Sequence, residues 1–135
     1  MSLAVGYDGG ESADRALDAA IDLARDLEEE LFVVCGVAPA GGVGEEYDAT
    51  EDAIVEDIAP LVMAAVAKAR SAGIDAEAIL VDADPVEALY TVMDERSPRM
   101  LIVGYGTAGR IRRALFGAVA RRVVRGAEVP VLVVP

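Results

Sequence analysis

The chain has 135 residues, 24 acidic and 12 basic, with a formal charge of −12, a length that suits one domain with a core needing neither disulfide nor metal. It contains no histidine, which excludes a Ser-His-Asp triad, a Cys-His pair, histidine-ligated zinc and an imidazole proton shuttle. Its one cysteine, Cys35, can form neither an internal disulfide nor a cysteine-rich metal site.

Taken in chain order, Leu3-Ala4-Val5-Gly6-Tyr7 is a short apolar run ended by Asp8-Gly9-Gly10, a strand entering a turn. From Ser12 to Leu27, apolar residues recur at Ala13, Ala16, Leu17, Ala20, Ile21, Ala24 and Leu27, the stripe of a helix. Leu31 to Val37 is apolar on successive positions, as in a strand covered on both faces, and Ala38 to Asp48 reads as a loop. Thr50 can cap a second helix running to about Ala72, with Gly73 as its stop; Pro60 inside it predicts a kink or break. Ala76 to Val81 is a third strand. Asp84-Pro85-Val86-Glu87 opens a helix with a capping carboxylate, a first-turn proline and a glutamate three places after the cap. Met100 to Val103 is a fourth strand, followed by Gly104-Tyr105-Gly106-Thr107-Ala108-Gly109. Helix resumes by about Arg112 and stops near Gly126, and Val129 to Val134 is a final strand.

Strands alternating with helices predict an α/β fold, a single doubly wound parallel sheet with helices on both faces. Such a sheet takes ligands beyond the carboxyl ends of its strands, where the strand order reverses. If strands one and four are neighbours, the turns at Asp8 and at Gly104 meet there. The longest uncharged run, Leu31 to Gly44, has fourteen residues interrupted by four glycines and a proline, against about 20 for a spanning helix. The positive mean hydropathy of +0.38 comes instead from 25 alanines and 19 valines spread along the chain. No basic leader precedes the first strand, so the expectation is a soluble cytoplasmic protein without a membrane partner.

Glycines after a strand let backbone amides approach a phosphate, and a following helix N-terminus favours the anion. A tight strand-to-helix turn needing positive φ has the same composition. Neither the dinucleotide fingerprint after a first strand nor a GK[ST] phosphate loop occurs. Asp8 before two glycines is either an Asx-turn or helix cap, or a ligand contact. Cys35 reads as a small apolar filler.

The whole pattern resembles the universal stress protein family. The residues that carry the resemblance are Tyr7-Asp8-Gly9, Val33-Val34 to Pro39, Asp82-Ala83-Asp84-Pro85 before a helix, Leu101-Ile102-Val103-Gly104, and Val129-Pro130-Val131-Leu132-Val133-Val134. The resemblance implies a five-stranded sheet in order 3-2-1-4-5 in a domain spanning 1–135, a homodimer paired through the last strand at 129–134, and, in one branch of the family, ATP at the switch point; the ligand expected here is an adenine nucleotide, ATP with Mg²⁺ or AMP. By the same resemblance Asp8 holds the ribose hydroxyls and the backbone at Gly36 meets the adenine. Gly104, Thr107, Gly117, Ala118 and Val119 line the phosphates, and the strand-end residues Gly6 and Val103 complete the set. The family's phosphate pattern is glycine, two residues, glycine, nine residues, glycine, then serine or threonine. Anchored on Gly104 it reaches Gly117 correctly, but Thr107 stands at the second glycine and Ala118 at the hydroxyl position. Gly10 likewise stands where the family often has serine.

Residues 1–95 carry a balance of −19 and residues 96–135 one of +7, and eleven of the 12 basic residues are arginine. A general nucleic-acid partner is not expected, since phosphate neutralisation needs a net basic surface. The acidic excess and scarce lysine suit a halophilic-type surface, with a GC-rich genome as the alternative source of the composition. Arg121, Arg122 and Arg125 fall in the last turns of their helix and read as a solvated face pairing with acids. Arg110, Arg112 and Arg113 stand near a helix start and want an anion; Arg110 or Arg112 is expected to stand in for the missing hydroxyl. The leading function is a stress or regulatory protein binding adenine nucleotide without turnover. Two alternatives stand beside it: a dimeric module of the same fold that has lost the nucleotide, favoured by Thr107 and Ala118, and a slow ATPase or transferase resting on Asp8.

Overall fold

The computed structural model describes residues 1–38, 45–106 and 117–135. Five strands, β1 (Ser2–Gly6), β2 (Glu30–Gly36), β3 (Ala76–Val81), β4 (Met100–Gly104) and β5 (Val131–Val134), form one sheet in order β3-β2-β1-β4-β5. Every neighbouring pair is parallel, so each connection crosses over, and the helices α1 (Glu11–Leu27), α2 (Glu45–Ser71), α3 (Pro85–Arg96) and α4 (Ala118–Gly126) fill the crossovers. The expected strand order is the observed one.

Alternation along the strands explains why their sequences are apolar throughout. Leu3, Val5 and Tyr7 of the β1 segment, with Leu31, Val33, Cys35 and Val37 of the β2 segment, face the core under α1 and α2. Ala4, Phe32, Val34, Leu101 and Val103 face the core under α3 and α4. Burying a leucine such as Leu17 or Leu89 contributes about 1.5–3 kcal/mol. The α1 contact uses Ala16, Ala20 and Ala24, all at 0% exposure. One methyl per turn lets the helix axis come close to the sheet, and that closeness governs the site described below.

Three features differ from the sequence reading, the first being that the last strand begins at Val131 rather than Val129. α2 begins at Glu45, inside the segment read as a loop, so Thr50 is not its cap, and it continues past Pro60 without a break. Pro60 is exposed. The backbone carbonyl one turn earlier, which loses its N–H partner to proline, can therefore bond to water. Among the described residues α4 begins at Ala118, and Gly117 before it has left-handed backbone, φ 71. Residues 111–116, with Arg112 and Arg113, lie outside the described residues. At α3 the expected cap is present, Asp84 accepting from the backbone N–H of Val86 and Glu87 at 2.9 and 3.0 Å.

Candidate functional site at the carboxyl ends of β1 and β4

β1 and β4 are neighbours in register Val5↔Ile102, and β1 and β2 in register Gly6↔Val34. Continuing those registers places Gly104 level with Tyr7 and Gly36 level with Asp8. The strand order reverses here, so the turns after β1 and β4 meet at the switch point as expected.

After β1 the chain turns sharply into α1. Asp8 Oδ1 accepts from the Gly10 N–H at 2.8 Å, an Asx-turn, and Gly9 has φ 81. That positive φ favours glycine, and a Cβ there would also press on Leu61 Cδ1 of α2 at 2.7 Å, a side-chain end that would have to move. The ordinary role foreseen for Asp8 is thus present, and its side chain stays exposed. Gly10 precedes α1 without a side-chain cap. Tyr7, 8% exposed, donates its hydroxyl to Asp14 Oδ1 at 2.6 Å and ties the end of β1 to α1.

After β4, Gly104 passes so near α1 that a Cβ would lie 2.1 Å from Ser12 Oγ and 2.6 Å from the Ser12 carbonyl oxygen. The Gly106 N–H donates to Ser12 Oγ at 2.8 Å. Gly106 has φ 86, and a Cβ there would lie 3.2 Å from the Gly117 nitrogen. A Cβ on Gly117 would lie 3.1 Å from Cζ of the Tyr105 ring. Tyr105, Gly106 and Gly117 therefore form one contact. Residues 107–116 join its two sides and are outside the described residues, Thr107 and Arg110 among them. α4 leaves this contact with no side-chain cap and no acid in its first turn. Its first N–H groups have no intrahelical acceptor, and the helix dipole favours an anion there.

Of the remaining expected site residues, Gly36 backs onto the turn before α3, where a Cβ would lie 2.6 Å from the Ala83 carbonyl oxygen. Gly6 and Val103 face α3: a Cβ on Gly6 would lie 3.2 Å from Leu89 Cδ1 and 3.7 Å from Val103 Cγ1. The Val103 side chain is buried in that core. Ala118 is half-buried and Val119 exposed at the start of α4. At its other end Arg122 pairs with Asp84 Oδ2 at 3.6 Å, one of the acid pairings expected of that face, with both groups well solvated and the pair weak. Sequence reasoning missed Ser12 and Tyr105. No motif marks either one, since their roles arise from contacts between segments far apart in the chain.

Two groups at this end of the sheet, Cys35 and Tyr7, are held protonated. Burial pushes the Cys35 thiol up to about 11, with the negative charge of Asp8 adding to the effect. Burial likewise raises Tyr7, helped by its hydrogen bond to Asp14 and by the charges of Asp14 and Asp8. Cys35, 4% exposed, is the buried filler its sequence suggests, not an activated nucleophile. Two concavities lie away from the crevice. One of about 390 Å³ is walled by Arg25, Glu28, Glu29 and Gly73 to Asp75; one of about 220 Å³ lies between α3 and α4 beside Tyr90 and Arg125.

A doubly wound sheet with a glycine-built crevice at its switch point defines the class of the molecule. The profile of the universal stress protein family matches residues 1–135, and the chain belongs to that family. It is 30% identical to the universal stress protein Rv1636 of Mycobacterium tuberculosis, over 98% of this chain and 94% of that protein. Among solved structures it resembles a universal stress protein in complex with cAMP, at 28% identity and TM-score 0.79, covering 100% of this chain and 97% of the other. It also shares its fold with the universal stress protein of Archaeoglobus fulgidus in complex with dAMP, at 23% identity and TM-score 0.70, covering 100% and 98%.

Proposed function

We propose that this protein binds an adenine nucleotide, AMP or ATP with Mg²⁺, at the β1/β4 crevice and responds to it without turning it over. The observation that carries the reading is the convergence of the uncapped N-terminus of α4 on the Gly104-Tyr105-Gly106 turn. Relatives of the same fold bound to cAMP and dAMP support it. The residues present fit a nucleotide: the uncapped first-turn amides of α4 supply donors for phosphate oxygens. Asp8 Oδ1 serves the turn, leaving the exposed Oδ2 for the ribose hydroxyls. Gly36 backbone meets the adenine, Gly6 and Val103 form the strand-end floor, and Gly104, Gly117, Ala118 and Val119 surround the phosphates. Thr107 and Arg110, outside the described residues, complete that set.

The protein is proposed to act as one domain over 1–135, in the cytoplasm, as a homodimer paired through β5. Neither nucleic acid nor membrane is a proposed partner. No helix among the described residues is long and apolar enough to cross a membrane. The test is the melting temperature with AMP and with ATP–Mg²⁺: a ligand at 100 times its Kd stabilises by about 2.7 kcal/mol and raises the melting temperature by several degrees. No shift with either overturns the reading. A second reading, a dimeric module without nucleotide, is favoured by Ala118, which offers no hydroxyl at the start of α4. It predicts that absent shift.

A further inference from the structure

We infer that Ser12 is a positioning residue that locks the glycine turn after β4 in its ligand-receiving shape, an inference that rests on the nucleotide reading above. Its position is unusual for its residue type. A serine in the first turn of a helix ordinarily uses its hydroxyl on nearby backbone. Ser12 instead accepts from the Gly106 N–H, 94 positions away, while α1 starts at Gly10 with no side-chain cap. The residue is 7% exposed, so water is a poor substitute for its oxygen.

The geometry extends the influence of this one hydroxyl across three elements. Gly104 has no Cβ, which lets the Ser12 backbone close on the end of β4. The hydrogen bond then fixes Gly106, whose α-carbon side faces the Gly117 nitrogen. Gly117 in turn sets the start of α4 and lies under the Tyr105 ring. Asp8, four residues before Ser12 on the same segment, is thereby held in register with the amides of α4. Ribose and phosphate contacts thus share one anchor. Without the Ser12 oxygen the part-buried Gly106 N–H lacks this acceptor, and the turn is free to reorient away from α4.

The test is backbone amide exchange and AMP affinity in the full chain, unsubstituted and with Ser12→Ala, a truncation small enough to keep the fold. One neutral hydrogen bond corresponds to a factor of roughly three to ten. The Gly106 amide is expected to exchange faster by that factor while core amides of β1 and β4 keep their protection, and AMP affinity is expected to fall by a similar factor. Unchanged Gly106 exchange overturns the anchor. Faster exchange with unchanged AMP affinity overturns its role in the ligand site and leaves the nucleotide reading standing. Failure of the unsubstituted protein to bind AMP or ATP–Mg²⁺ overturns that reading, and with it the inference.

Discussion

A Cβ on Gly104 would fall almost onto the Ser12 hydroxyl, 2.1 Å from its Oγ. Gly104→Ala must push α1 away from β4 or strain both, and is expected to destabilise the fold by about 1–3 kcal/mol, read as a lowered midpoint in urea. Asp84 accepts two first-turn N–H groups of α3. Asp84→Ala should therefore cost about 1 kcal/mol by the same measurement. Cys35 gives a pH dependence of definite sign. Its thiol lies at about 11 in the fold against an ordinary 9.0, so the unfolded chain loses its proton first. The Cys35 contribution is full below pH 9 and lost as pH rises from about 9 to about 11. Cys35→Ala should flatten that alkaline decline in melting temperature; an unchanged slope would show that the thiol is not its source. Asp8 was legible as a turn former because an aspartate before glycines has a local reason to be there. Ser12 was not, because its partner is fixed by tertiary structure alone.

At the scale of elements, the sequence specified the sheet well. Strands apolar on both faces and separated by helical stripes leave little freedom besides parallel pairing. The helix starts were less legible. Nothing local announces that α2 passes Pro60, since the outcome depends on whether that face meets water or core. The start of α4 depends on Gly117 meeting Gly106 and Tyr105, contacts that no spacing rule contains. The last strand carries a prediction of its own. β5 is a short apolar edge with Leu132 at 37% exposure, a strand that invites pairing with a second copy. Leu132→Glu is expected to shift the sedimenting species from dimer to monomer, and a monomer in the unsubstituted protein would contradict pairing through this edge.

Over the whole molecule, charge and site oppose each other. A net charge of −12 repels a nucleotide at long range, while the proposed site would attract it through backbone amides at a helix terminus. Salt screens the first effect within about 3 Å at 1 M and leaves close contacts largely intact. The melting temperature is therefore expected to rise by several degrees between 0.1 and 2 M KCl as acidic self-repulsion is screened; a flat or falling curve would argue against an acidic surface adapted to salt. The site could be read from the sequence as a location, the turns after the first and fourth strands. The phosphate half proposed for it could not, because Thr107 and Ala118 depart from the family pattern just where a motif would have to speak.

Calorimetric titration of the protein with AMP in 2 M KCl, beside the Asp8→Ala and Gly117→Val variants, decides whether the proposed nucleotide binds at this crevice. Binding with one site per chain is expected. Asp8→Ala should weaken it about ten-fold, the scale of one charge-assisted hydrogen bond. Gly117→Val should abolish it, because a side chain there meets the Tyr105 ring and the wrong φ. Binding of equal strength in all three proteins would place the ligand elsewhere, and no heat from the folded unsubstituted protein would contradict nucleotide recognition at this crevice.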